Sequence, residues 1–352
     1  MSRRRTFLVA LATLALALEG CASSGATSRG PATAESSASG AGAGPTTELS
    51  VPTQSASRAA EVKVIPDLAF ESSSLNALGG LDIYAPAAAG PWPVVVMFHG
   101  QPLTKSFLAS YATSVAALGF VVFVPTWGQS GGHDYDAMSI KDQLLADGRQ
   151  SACALAFAAE RAPEYGGDAE SLTVFGHSAG GNIASVVVLG QPAVGGGCLA
   201  QATPEVDVLE SWDADFLIVT EAAGWDAYLA GDPTLMESIT PWAHLPPPPN
   251  MRFVMLQPEN SGVGRTATDA LGADGWLAAR DPDGTKTAVL DEIGAFDDGF
   301  IAPDETDQVF AEALRAHGAD VTLLTMPGSS HTGLSPEGLS VLLDAFREIG
   351  GY

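Results

Sequence analysis

Leu172-Thr173-Val174-Phe175-Gly176-His177-Ser178-Ala179-Gly180-Gly181-Asn182 is the stretch whose reading decides the fold. An apolar, β-branched run leads into a Gly-x-Ser-x-Gly turn and then a helix start. A serine hydroxyl reaches the tip of a strand only if the backbone bends sharply, and flanking Cβ atoms would clash, so the glycines have a steric reason. Ser178 then stands at a helix N-terminus, whose partial positive charge suits a developing oxyanion. The pattern recurs at Gly128-Gln129-Ser130-Gly131-Gly132. That copy runs on into His133-Asp134-Tyr135-Asp136, a polar loop and not a helix, and reads as a surface turn. The strand before it and the helix after it single out Ser178.

Outward from this stretch, short apolar runs alternate with helical patterns. Strands are predicted over 62–70, 81–84, 94–98, 120–124, 172–178, 216–219, 252–256 and 321–325. Helices are predicted over 104–118, 140–161, 179–189, 305–316 and 336–349. Val94-Val95-Val96-Met97-Phe98 is apolar without alternation, as expected of a parallel strand covered on both faces. Strands alternating with helices predict one α/β domain, and ligands in such sheets bind beyond the carboxyl ends of the strands. Irregular insertions are expected at about 221–250 and 260–298.

Chain order adds to the pentapeptide. His99-Gly100 follows one strand, Ser178 another, a carboxylate a later one, and His331 the last. With Leu81-Asp82-Ile83-Tyr84-Ala85-Pro86 and the elbow itself, this order resembles the α/β-hydrolase superfamily. The likeness is to serine esterases and lipases of the general-esterase, dienelactone-hydrolase-like and feruloyl-esterase-like kind, and it covers about 62–352. The resemblance implies a mostly parallel central sheet with helices on both faces. It implies Ser178 as nucleophile, His331 as base, and an oxyanion hole from the amides of Gln101 and Ala179. Pro102 separates the chain from the hormone-sensitive-lipase-like branch, because proline has no N–H where a glycine would supply a further amide.

The acid of such a triad is expected after the strand at 252–256, which points to Glu259. Asp297 or Asp298, after the second insertion, and Asp226, from the preceding strand, are the alternatives. His99 is expected to be structural, and His177 lies where the elbow tolerates many residues. His133, His244 and His317 have no partner pattern. There is no His-Glu-x-x-His or paired-cysteine motif, so neither a metal nor another cofactor is expected. Trp127, Trp225, Trp242 and Trp276 fall in predicted loops, where they either roof the site or pack the core. The expected substrate is a small-molecule or polymeric carboxylic ester. A peptidase, thioesterase or polyester hydrolase would use the same residues, and a binding protein on an inactive scaffold is a third reading.

The 352 residues hold 16 Lys+Arg against 41 Asp+Glu, a net charge of −25. Phosphate contacts need clustered cations, so a nucleic-acid partner is excluded. Arg3-Arg4-Arg5 followed by the apolar run from Phe7 to Leu18 predicts a signal segment over 1–20, too short for a membrane span. Leu18-Glu19-Gly20-Cys21 resembles a lipobox, with Cys21 as the site of lipid attachment. Residues 21–60, rich in Ala, Ser, Gly and Pro, predict a tether, and 61–352 the folded domain. Membrane contact is expected through the N-terminal lipid only, in an exported envelope lipoprotein; simple secretion is the alternative. Cys153 and Cys198 then remain as a pair in an oxidising compartment, which predicts a disulfide, the alternative being two buried thiols.

Overall fold

Val94, Val96 and Phe98 belong to the core on one side of the sheet and Val95 and Met97 to the core on the other; all five are fully buried. This double coverage is why their strand carries no polar alternation. The computed structural model describes residues 61–72, 80–101, 103–128, 140–192, 194, 196–214, 216, 241–261, 265–266, 300–301 and 306–351. The expectations for the signal segment, Cys21, the tether, Pro102, Ser130, Asp226, Trp225, Trp276, Asp297 and Asp298 lie outside these residues.

The eight-stranded sheet has the order β1-β2-β4-β3-β5-β6-β7-β10. It comprises β1 (Val62–Leu68), β2 (Leu81–Pro86), β3 (Trp92–Phe98), β4 (Val121–Pro125), β5 (Gly167–His177), β6 (Val208–Trp212), β7 (Arg252–Asn260) and β10 (Asp320–Ser330). β2 runs antiparallel to both β1 and β4, and the other neighbours are parallel. β8 (Arg265–Thr266) and β9 (Phe300–Ile301) form a separate antiparallel ribbon. The helices are α1 (Lys105–Ala117), α2 (Ile140–Arg161), α3 (Ala179–Gly190), α4 (Thr306–Ala316) and α5 (Pro336–Gly350). Leu108 and Val115 of α1 and Leu342 and Phe346 of α5 fill one face. Leu155 of α2, Val187 of α3 and Phe310 and Leu314 of α4 fill the other.

One strand is not where the sequence predicts it. The neighbour of β5 is Val208–Trp212, and Phe216 lies beyond its end as a buried loop residue; residues 217–219 are outside the described set. The physical reason is a pair of buried polar residues. Glu210 and Ser211 are 0% and 1% exposed, yet they interrupt the apolar run by which a buried strand is recognised. Glu210 pairs in register with Phe175 and Val254, so it faces the core beneath α1 and α5. Neither of its oxygens has a hydrogen-bond partner. Burial pushes its carboxyl well above the usual range, because desolvation penalises the charged form.

Cys153 of α2 and Cys198 are joined in a disulfide. Cys198 also bridges to Glu71, and Ser72 N–H donates to Gly197 O at 2.6 Å. The crosslink thereby ties α2 to the chain leaving β1.

Two predictions follow from these buried groups. A carboxyl raised in the folded state stabilises the protein fully below its unfolded pKa and loses that contribution as pH rises toward the folded value. Glu210→Gln should match the parent near pH 3 and exceed it in Tm at pH 8; scanning calorimetry at both pH values checks this. Replacing both Cys153 and Cys198 by Ala opens a 45-residue separation. It should cost roughly 4 kcal/mol by loop entropy, read as a lower denaturation midpoint.

Candidate active site

Ser178 is the residue between β5 and α3, with φ 55° and ψ −127°. Such a backbone costs on the order of 1–3 kcal/mol for a non-glycine residue and persists only where its surroundings impose it. Close packing supplies the constraint. A Cβ on Gly180 would lie 2.2 Å from Phe98 O, and one on Gly100 would lie 2.9 Å from Ser178 Cβ. The first turn of α3 and the loop after β3 are thus pressed against the serine, and only glycine leaves room. Gln101, one of the two residues predicted to supply an oxyanion amide, follows Gly100 in that loop, and Ala179, the other, opens α3 directly after Ser178.

The sheet ladder continues one step past the strand ends. His177 pairs with Trp212, then Ser178 N–H donates to Trp212 O at 3.0 Å. Trp212 pairs with Leu256, then Asp213 N–H donates to Leu256 O at 2.9 Å. Ser178 and Asp213 therefore stand at the carboxyl ends of adjacent strands. Asp213 also has a left-handed backbone, φ 47°.

Asp213 is the carboxylate that meets the histidine. His331 Nδ1–H donates to Asp213 Oδ2 at 2.6 Å, and Ser261 Oγ–H donates to Asp213 Oδ1 at 2.8 Å. The Asp213 side chain is 2% exposed and that of His331 27%. One carboxylate oxygen orients the ring, and the second is satisfied by a hydroxyl, as a buried anion requires. Asp307, in the first turn of α4, is wholly buried without a hydrogen-bond partner. Burial first, and the charge of Asp213 second, push its carboxyl well above the usual range.

Glu259, predicted as the acid, is not brought to His331. It is exposed near the end of β7, and its carboxylate accepts from Gly328 N–H at 2.7 Å. Gly328, φ 63°, lies in the bulge of β10 between Met326 and Ser330 that leads into the histidine loop. The sequence reading sought the carboxylate one strand later, and the displaced β6 hid Asp213. The missed signal is an apolar run through Val206, Val208, Leu209 and Trp212, ending on an aspartate.

The remaining predicted residues fall into place around this centre. His331 follows β10, in a loop closed by Ser330 N–H donating to Gly333 O at 2.8 Å. At the end of that loop Ser335 Oγ accepts from Gly338 N–H at 2.9 Å and caps α5. His99 is buried, with Nδ1–H donating to Gly100 O at 2.9 Å and Nε2 accepting from Trp127 N–H at 3.4 Å. Burial lowers its pKa to about 4, only partly offset by the Gly100 bond, so it is a neutral brace for the loop after β3. Trp127, 2% exposed, donates its Nε1–H to His99 O at 2.9 Å and belongs to the core. Among the described residues no group of His, Cys, Asp or Glu could hold a metal ion.

Comparison with known proteins bears on the fold. Residues 56–197 match the family model Chlorophyllase, a span that contains Ser178 and ends before Asp213 and His331. Human Carboxylesterase 3 is 37% identical over 123 residues, which are 33% of this chain and 21% of that protein; the match spans about a fifth of the relative's length. A truncated carbohydrate esterase from gut microbiota superposes with TM-score 0.58 at 14% identity, over 84% of this chain and 98% of that one. Esterase B from Lactobacillus Rhamnosis, inhibited by a tributyrin phosphonate, superposes with TM-score 0.59 at 15% identity, over 84% and 88%. At such identities the two structures establish the fold.

Because Asp213 and not Glu259 holds the imidazole, the two substitutions should differ. Asp213→Ala should slow phosphonylation of Ser178 by roughly 10³-fold or more, and Glu259→Ala should leave the rate essentially unchanged. Time-resolved mass spectrometry of the labelled serine checks both; the reverse ranking would return the role to Glu259.

Proposed function

We propose that this chain, which has the α/β-hydrolase fold, is a serine hydrolase of carboxylic esters. The observation that carries the reading is the 2.6 Å bond from His331 to buried Asp213, one strand from a serine held in a strained turn. Ser178 Oγ attacks the acyl carbonyl and passes its proton to His331 Nε2. The imidazolium formed is stabilised through Nδ1–H by Asp213. The amides of Ala179 and Gln101 receive the oxyanion, helped by the N-terminus of α3. Collapse expels the alcohol, which takes the proton from His331, and leaves acyl-Ser178. Water, deprotonated by His331, attacks the acyl-enzyme and releases the acid. The esterases among its structural neighbours and the carboxylesterase segment support an ester as the scissile bond.

The reading extends to location. Arg3-Arg4-Arg5, the apolar run from Phe7 to Leu18 and the lipobox-like Leu18-Glu19-Gly20-Cys21 support an exported protein tethered through lipid on Cys21. The Cys153–Cys198 disulfide supports an oxidising compartment. The ester substrate would then be met at the cell envelope, with the folded domain held off the membrane by 21–60.

A fluorophosphonate probe followed by peptide mass spectrometry should mark Ser178, and Ser178→Ala should abolish both labelling and hydrolysis of short-chain p-nitrophenyl esters. Label on Ser130, or turnover unaffected by Ser178→Ala, would overturn the reading. Label on Ser178 without ester turnover would move the substrate to another acyl bond.

A further inference from the structure

The imidazole of His331 is held at its Nδ1 by Asp213, but a ring is not positioned by one contact. Its main chain must also be fixed. Ser335 Oγ–H donates to Pro327 O, and Ser335 N–H donates to Ser329 Oγ at 3.1 Å, joining the two ends of the loop. The Ser330–Gly333 pair closes its neck. At residue 331 itself the contact comes from the elbow: His177 Nε2–H donates to the main-chain carbonyl of His331 at 2.7 Å.

We propose that His177 is a positioning residue for His331, holding its carbonyl so that the imidazole is presented to Ser178 at a fixed height. This rests on the reading of Ser178, His331 and Asp213 as a triad. His177 is fully buried, and its ring is confined by Trp212 at 4.4 Å and Phe107 at 4.9 Å between centroids. A Cβ on Gly100 would come within 2.9 Å of its Nδ1. The donor therefore has one direction in which to point. The same arrangement has a cost. His177 Nδ1 is buried with no partner, a desolvation penalty that an apolar residue would avoid. A side chain chosen for stability alone would not carry that lone pair. Burial, more than the neighbouring histidines, lowers the His177 pKa to about 3, against the opposing effect of its bond to His331 O. The ring is accordingly neutral at working pH, with its proton on Nε2 where the carbonyl needs it.

The test uses the full-length protein and three substitutions. His177→Gln places an amide N–H near the old Nε2; His177→Asn places one near Nδ1, too short to reach; His177→Leu has no donor. His177→Leu and His177→Asn should lower kcat on a p-nitrophenyl ester by about 10- to 100-fold with little change in KM, as expected of a displaced catalytic group. His177→Gln should recover most of the rate. In ¹⁵N-labelled protein, the downfield Nδ1–H resonance of His331 should broaden or vanish in the Leu and Asn variants and persist in the Gln variant. Thermal melts distinguish repositioning from unfolding, and should His177→Leu not fold, the Asn–Gln pair carries the comparison. Parent-like kcat and resonance in His177→Leu, or a Gln variant as impaired as the Asn variant, would overturn the proposal. If the parent itself neither labels at Ser178 nor turns over ester, the triad reading fails, and the resonance still reports whether His177 holds the loop.

Discussion

The hydrogen bond from Ser178 N–H to Trp212 O is the interaction on which the rest of the site depends. It extends the ladder between β5 and β6 by one residue and fixes the serine before its chain turns into α3. The next bond of the same kind, Asp213 N–H to Leu256 O, fixes the carboxylate at the end of the adjoining strand. Adjacent strands lie roughly 4.8 Å apart, so Ser178 and Asp213 are set by backbone pairing, not by flexible side chains. His331 is the member that has to travel. It arrives from β10, the edge strand beyond β7, through a bulged and hydrogen-bonded loop.

The charges of the site follow the same economy. The buried carboxyls of Glu210, Asp213 and Asp307 are separated by their surroundings. Asp213 has a hydroxyl on one oxygen and an imidazole on the other. Glu210 and Asp307 have neither, and desolvation pushes both carboxyls well above the usual range. Two histidines are kept neutral by burial, His99 behind the loop after β3 and His177 beneath the loop that holds His331.

Much of this was legible in the residues. The double-sided strands at 94–98 and 121–124 are read from uninterrupted β-branched and aromatic runs, because a sheet covered on both faces leaves no polar position to interrupt them. The elbow is legible because a strained serine needs small neighbours, and glycines show in a sequence. The disulfide was legible from cysteine count and the export that the N-terminal residues lead one to expect. β6 was not, since Glu210 and Ser211 are polar residues in a buried strand, and periodicity treats them as surface. With β6 displaced by eight residues, Asp213 was hidden and the acid was sought one strand further on.

The sequence by itself determined the order of strands and helices, the turn at Ser178 and the loop that holds His331, because these rest on local sterics and on hydrophobic pattern. Which carboxylate faces His331, and which histidine holds its carbonyl, only the tertiary structure decided. Both contacts join residues more than 100 positions apart, and their geometry is set by sheet register and loop packing, which leave no periodic trace along the chain.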